Sequence, residues 1–483
     1  MTNSEVIPSR KRVVLSEYGK PIKTLKNNEV TVSDNGVVSP DGENFLALND
    51  EDRRLVKTLW DAGTKIEILE LQAGLRIKAD SRVGHVAFSN FDLVIRPKFD
   101  NLTKHDDPLA TLLAYAFNLN NLKIVGEQHS PETDFAEILI HWLLGAVRNI
   151  QRRGLFQQYR KERRDLSVIR GKIDLKTWMR RRGIPSETMP CVFYRRSLDN
   201  ILNQTLCAGL RRSAVIASSL KLKSQCRFLA DSFALDGVTD KTLDYRMLTE
   251  AGRGLNRLNA HYENAVKIIE MLYEGSGGFV LGDQRREQVR IPGFFFDMNL
   301  LFERVFERFF EDHLPKKQYK LLYNSGHRIF SGYYGEGESL MEIDAGRKWR
   351  ARPDFVVRKK DTKKRIVLDT KYHSIVPGQE KKLDQLCLYA LAFSEHPGET
   401  PNRRATILFP FDPEINESTK PWNVALHRYN EKIGNTNDLG NAKCIITLRP
   451  IKMNCLARMI GINGDKMKKK REEFALKLIG ELK

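Results

Sequence analysis

The stretch from Arg352 to Lys371 reads R-P-D-F-V-V-R-K-K-D-T-K-K-R-I-V-L-D-T-K, and its pattern predicts a β-hairpin. Phe355 to Arg358 is an apolar run suited to a strand. Lys359 to Lys364 is a charged turn, and Arg365 to Leu368 is a second strand rich in β-branched residues. Pro353 lacks a backbone donor and fits the first position of the first strand. Asp354 then opens one strand and Asp369 closes the other. Lys371 follows Asp369 at a spacing of two, so both side chains point to one face, about 7 Å apart.

Two carboxylates and a lysine at the end of a hairpin suit phosphodiester hydrolysis. That reaction needs a hard cation on oxygen ligands, an activated water, and positive charge beside the transition state. Asp354 and Asp369 are the candidate Mg²⁺ ligands, with the Thr370 carbonyl as a third and Mn²⁺ able to substitute. Lys371 is the candidate for orienting or deprotonating the water, or for stabilising charge. A bare D-x-K is also common on solvated hairpins, which is the bland alternative. Asp369 ends the apolar run Ile366-Val367-Leu368, where an unpartnered carboxylate is costly. The segment Glu380 to Phe393 predicts a helix with Gln385 and Tyr389 on one face.

Pro353-Asp354 followed by Asp369-Thr370-Lys371 resembles the PD-(D/E)XK nuclease core. Gln385-x-x-x-Tyr389 resembles the helix that follows it in RecB-type members. The resemblance implies catalytic roles for Asp354, Asp369, Lys371, Gln385 and Tyr389. Asp297 to His313 predicts an amphipathic helix, and Glu303 occupies the position of a first-helix glutamate that faces the metal in some of these nucleases. Surface pairing with neighbouring arginines is the other reading of Glu303. His373 is read as an outer neighbour of the site rather than a ligand.

The chain of 483 residues is too long for one ordinary core, so two or three domains are expected. Its 41% hydrophobic and 29% charged content are those of a soluble globular protein. Lys and Arg number 80 against 61 Asp and Glu, a net charge of +19 that favours a polyanionic partner. With the nuclease-like site that partner is expected to be nucleic acid, and the resemblance to these nucleases implies double-stranded DNA. A basic surface kept only for solubility is the bland alternative. Cysteines 191, 207, 226, 387, 444 and 455 form no C-x-x-C pair, so neither a zinc site nor a disulfide framework is expected. Reduced thiols fit a cytoplasmic location. The first residues contain no apolar signal segment, and no apolar run of about 18 residues predicts a membrane helix. No phosphate-binding G-x-x-x-x-G-K-[S/T] loop occurs, so this chain is expected to bind no nucleotide.

Three regions are expected: a β-rich module over 1–105, a mixed basic and helical region over 106–280, and a nuclease domain over 281–483. The fold class is α+β or α/β, multidomain. Within the first region, Asn49 to Trp60 predicts a short helix capped by Asp50, and Thr64 to Phe99 alternates as short strands. From Arg148 to Arg182 there are 13 Lys or Arg and three Asp or Glu. Arg152, Arg153, Arg163, Arg164, Arg170 and Lys172 are the candidates there for binding DNA or a partner protein, a solvated face being the default for such a run. Ile201 to Glu274 predicts helices, with Asp199 or Asn200 as a cap. Ala405 to Phe411 and Cys444 to Leu448 predict strands, 412–440 a loop, and Asp465 to Lys483 a basic helix.

The order of Leu93-Val-Ile-Arg-Pro-Lys-Phe99, Leu112-Leu-Ala-Tyr-Ala-Phe117, Gln151-Arg-Arg-Gly154 and Ile169-Arg-Gly-Lys-Ile-Asp174 resembles the McrC family. McrC proteins are the nuclease subunits of McrBC modification-dependent restriction systems. The resemblance runs from about Asp92 to the C-terminus. It implies an Mg²⁺-dependent endonuclease that cuts modified DNA with, and stimulates, a hexameric McrB-like AAA+ GTPase. A stand-alone PD-(D/E)XK restriction or repair nuclease is the alternative, and a non-catalytic docking protein a third reading, which the intact Asp354, Asp369 and Lys371 disfavour.

Overall fold

The computed structural model describes residues 11–481, apart from 22–28, 39–47, 98–107, 120–134, 181–186, 279–292, 323–326, 335–340, 344–349, 376–382, 395–402, 413–417, 427–442 and gaps of one to three residues. The fold is a mixed α and β one with several sheets. It divides into two compact units: residues 1–97 with 121–296, and residues 98–120 with 297–483.

The first unit contains a five-stranded sheet in the order Gly293–Asp297, Arg82–Ala87, Phe91–Arg96, Lys11–Ser16, Glu29–Thr31. Val13, Leu15, Val86, Phe91, Leu93 and Phe295 from this sheet share a core with Ile68, Leu75 and Ile77 of a smaller three-stranded one. The Thr64 to Phe99 alternation therefore produces strands, as expected. The polar stretch ahead of it also supplies strands, at Lys11–Ser16 and Glu29–Thr31. They pair in parallel, a contact that no local pattern announces. The helix Asp50–Asp61 is capped by Asn49 rather than Asp50: the Asn49 Oδ1 accepts from the Asp52 amide at 2.8 Å.

Helices dominate the rest of this unit. Ile201–Ile216 starts at Asn200, whose side chain accepts from the Asn203 amide. It packs closely on Glu263–Tyr273 because Gly209 lacks a side chain there: a Cβ would lie 2.5 Å from the Ile269 Cδ1. Two nine-residue strands, Gln158–Leu166 and Met189–Ser197, form an antiparallel ribbon, with Lys172–Ile173 added at one edge.

The second unit is built on a six-stranded mixed sheet. Its order is Tyr319–Leu322, Phe355–Lys359, Arg365–Thr370, Arg404–Pro410, Cys444–Ile451, Trp422–Leu426. The expected hairpin is present, with Phe355 opposite Leu368 and Arg358 opposite Arg365. Arg365–Thr370, Arg404–Pro410 and Cys444–Ile451 run parallel and read as continuous apolar segments because both sheet faces are covered. Trp422–Leu426 lies inside the span expected to be loop; as a half-exposed edge strand it lacks a continuous apolar run.

One face is covered by Met298–His313, capped by the Asp297 carboxylate. Its buried stripe includes Phe302, Val305, Phe306, Phe309 and Phe310. Phe310 meets Phe355 edge to face with ring centroids 5.5 Å apart, and Phe302 meets Tyr372 at 5.7 Å. The helix Pro108–Ala116 also belongs to this unit, where Tyr115 donates to Asp312 at 3.0 Å. The opposite face carries Leu383–Ser394, whose Leu386, Tyr389 and Ala390 pack with Val356, Val367, Ala405 and Ile407.

Candidate active site

The hairpin register brings Asp354 and Asp369 together. Extending the Phe355–Leu368 pairing by one step sets Asp354 across from Asp369. The contacts are reciprocal: the Asp369 carboxylate accepts from the Asp354 backbone amide, and the Asp354 carboxylate accepts from the Thr370 backbone amide at 2.6 Å. The Thr370 hydroxyl donates to the same Asp354 oxygen, Oδ2, at 2.6 Å. Asp369 is 4% exposed, at the end of the buried run Ile366 to Leu368. Burial, then the charge of Asp354, pushes its pKa above the usual carboxylate range.

Lys371 is anchored where the strand ends. Its amide donates to the Leu408 carbonyl at 2.9 Å, and its ammonium forms an ion pair with Asp369. Burial works against the ammonium, but the Asp369 carboxylate outweighs it and holds the pKa above the usual lysine value. Lys371 also feels the Tyr389 hydroxyl. Tyr389 is 6% exposed and accepts from the Gln385 side-chain amide at 2.5 Å.

Glu303 reaches the same cluster from the Met298–His313 helix. Burial, then Asp354 and more weakly Asp369, pushes its carboxyl up to about 7. Arginine pairing belongs instead to its neighbour: Arg304 donates to Glu307 at 2.7 Å. His373, two residues beyond Lys371, is half-buried.

Three carboxyl groups, Asp354, Asp369 and Glu303, offer hard oxygen donors to a divalent cation. Among the described residues, no three His, Cys, Asp or Glu side chains converge closely enough to form a ready-made cage. Mg²⁺ does not need one: it is ordinarily held by one or two carboxylates and keeps several waters. The donor set fits that ion.

Residues 77–392, more than half of the chain, match the family described as McrBC 5-methylcytosine restriction system component. The chain belongs to that family. A chain of the tetradecameric assembly of Thermococcus gammatolerans McrB AAA+ hexamers with bound McrC is similar to it, with a TM-score of 0.56, 19% identity and 90% of each chain covered. A chain of the T. gammatolerans McrBC complex is 21% identical over 62% of this chain and 86% of its own, with a TM-score of 0.43. At 19% identity the first likeness concerns fold alone. No curated protein matches the chain. Among the described residues, no helix is long and apolar enough to cross a membrane.

The family match also spans the basic segment of the first unit. Arg152 and Arg153 end the helix Phe135–Arg153, and Arg163 and Arg164 lie on the exposed Gln158–Leu166 strand. Arg170 stacks over the Phe193 ring at 5.0 Å, and Lys172 opens the short third strand. All six are exposed. The anchor beneath this ribbon is not evident from sequence. Tyr262 and Asn203 are both 0% exposed, and the Tyr262 hydroxyl donates to the Asn203 Oδ1 at 2.8 Å and accepts from the Phe156 amide at 2.8 Å. Asn203 donates in turn to the carbonyls of Phe156 and Leu198, at 3.0 and 2.7 Å. The helix-start pattern Asp199-Asn200-Ile-Leu-Asn203 is the available signal, and on its own it indicates only capping.

Proposed function

We propose that this chain is the DNA-cutting subunit of a McrBC-like restriction system and that the second unit is a PD-(D/E)XK nuclease domain. The observation that carries the reading is the convergence of Asp354, Asp369 and Lys371 at one end of a mixed sheet, with Glu303, Gln385 and Tyr389 arriving from helices on its two faces. Asp354 and Asp369 would hold Mg²⁺, with Glu303 and the Thr370 carbonyl as further oxygen donors. When bound, the ion supplies Lewis acidity to the scissile phosphate and an acidified water.

The protein groups divide the remaining work. Asp369 stabilises the Lys371 ammonium, which suits this side chain to placing positive charge beside the reacting phosphate and orienting the water. Tyr389 and Gln385 hold that ammonium's surroundings and offer polar groups to DNA or water. The exposed arginines of the ribbon offer contacts to phosphates or to a partner.

The partner in this proposal is a McrB-like AAA+ GTPase hexamer, as in the T. gammatolerans assembly, and the substrate is modified double-stranded DNA. It accords with a chain that lacks a phosphate-binding loop in its sequence. The test is cleavage of 5-methylcytosine-containing plasmid with Mg²⁺, by the chain alone and with its partner and GTP. Robust cutting is expected only in the complex. Asp354→Ala, Asp369→Asn and Lys371→Ala should each abolish it while leaving stimulated GTP hydrolysis intact. Wild-type cutting by Asp369→Asn would overturn the site.

A further inference from the structure

Asp354 stands at the mouth of the hairpin, one residue before the strand Phe355–Lys359 begins. Strand pairing alone does not fix its carboxylate, because the register ends at Phe355 opposite Leu368. Two donors from a single residue do. The Thr370 amide and the Thr370 hydroxyl both reach Asp354 Oδ2 at 2.6 Å. Hydrogen bonds to a carboxylate are short and strong, and two of them to one oxygen fix both the rotamer and the tilt of the group. Oδ1 is thereby the oxygen left to face a cation.

The hydroxyl bond is not imposed by the sheet. The amide bond depends only on backbone position and survives any substitution at residue 370 except proline. The hydroxyl requires serine or threonine. A valine here would keep the β-branched shape suited to the strand Arg365–Thr370 and remove only the donor. Such outer contacts to metal-binding groups are energetically substantial, since removing one ordinarily lowers metal affinity about 10–100-fold.

We infer that the Thr370 side chain is a positioning residue that pre-orients Asp354 for a divalent cation, a role separate from that of its backbone carbonyl. The inference rests on the proposed nuclease site, and Thr370 acts on the cation only through Asp354.

The experiment titrates the purified full-length chain with Mn²⁺ in the absence of DNA, following free Mn²⁺ by electron paramagnetic resonance. Thr370→Val should bind about tenfold more weakly, with an unchanged melting curve, and Thr370→Ser should restore affinity to within about twofold. In the assembled complex, Thr370→Val should need correspondingly more Mn²⁺ for half-maximal cutting and approach wild-type rate when saturated. If Thr370→Val binds Mn²⁺ like wild type while Asp354→Ala does not bind, the hydroxyl has no positioning role and the nuclease site stands. If Asp354→Ala also binds like wild type, the metal site itself is misplaced and the inference falls with it.

Discussion

The Gln385 side-chain amide donates to the Tyr389 hydroxyl at 2.5 Å, one helical turn along Leu383–Ser394. Tyr389 is buried in the core beneath the sheet, whereas Gln385 is exposed. The pair thus runs from solvent into the core, where Tyr389 is near enough to influence the Lys371 ammonium electrostatically. Gln385→Ala removes one hydrogen bond without opening the core, so cutting should fall about fivefold, equivalent to the ~1 kcal/mol of a typical hydrogen bond. Mn²⁺ affinity should be unchanged. Complete loss of cutting together with loss of metal binding would refute a role confined to the Lys371 side of the site.

Reversing the ribbon charge tests the basic segment. Arg152, Arg153, Arg163 and Arg164 are all exposed, so replacing them with Glu should cost no more than about 0.5 kcal/mol per site in a melting experiment, most of it at Arg164, which pairs with Glu162. Binding to DNA or to the AAA+ partner should weaken. If DNA is the target, the slope of log affinity against log salt should become shallower by about 0.9 for each phosphate that the variant no longer neutralises. Unchanged affinity and unchanged slope for both ligands would make the ribbon a solvated face.

Tyr262→Phe tests the anchor of that ribbon. The substitution keeps the ring and strands two buried partners, the Phe156 amide and the Asn203 Oδ1. A cost of about 1–3 kcal/mol is expected, with faster hydrogen exchange concentrated at the Phe156 amide and its immediate neighbours. A wild-type exchange pattern at those positions would show that the backbone holds the ribbon base without the hydroxyl.

His313 provides a pH signature for the second unit. Burial, then the positive charge of Arg471, lowers its pKa to about 4, whereas an unfolded histidine titrates near 6.5. Below that value the unfolded chain takes up the proton more readily than the folded one. The stabilisation is therefore complete above about pH 6.5 and is lost as pH falls towards 4. Melting temperatures should show wild type losing several degrees relative to His313→Gln between about pH 7 and about pH 5. Parallel pH profiles would exclude this contribution.

Local chemistry makes the hairpin legible. β-branched and apolar runs on either side of a lysine-rich turn predict two strands, and the observed Phe355–Lys359 and Arg365–Thr370 extend that reading by a residue or two. The Met298–His313 and Leu383–Ser394 helices are legible for the same reason, since a 3.6-residue apolar stripe is a property of neighbouring residues. The two-residue spacing of Asp369 and Lys371 places them on one strand face, where they form an ion pair.

Other features depend on residues far apart in the chain. The Gly293–Asp297 strand joins the sheet of Arg82–Ala87, and nothing in its own few residues names so distant a partner. Glu303 and Glu307 look alike in sequence, one turn apart on the same helix. Packing turns Glu303 towards Asp354 and leaves Glu307 to Arg304. Asn203 reads as part of a helix start, yet it is buried against Tyr262 because a polar ribbon base must satisfy its amides and carbonyls where water is absent. By itself, then, the sequence determined which residue types lie on which strand and helix faces, because those periodicities are local. The tertiary structure alone decided which carboxylates meet and which hydroxyl holds Asp354, because burial and distance exist only once remote segments have packed.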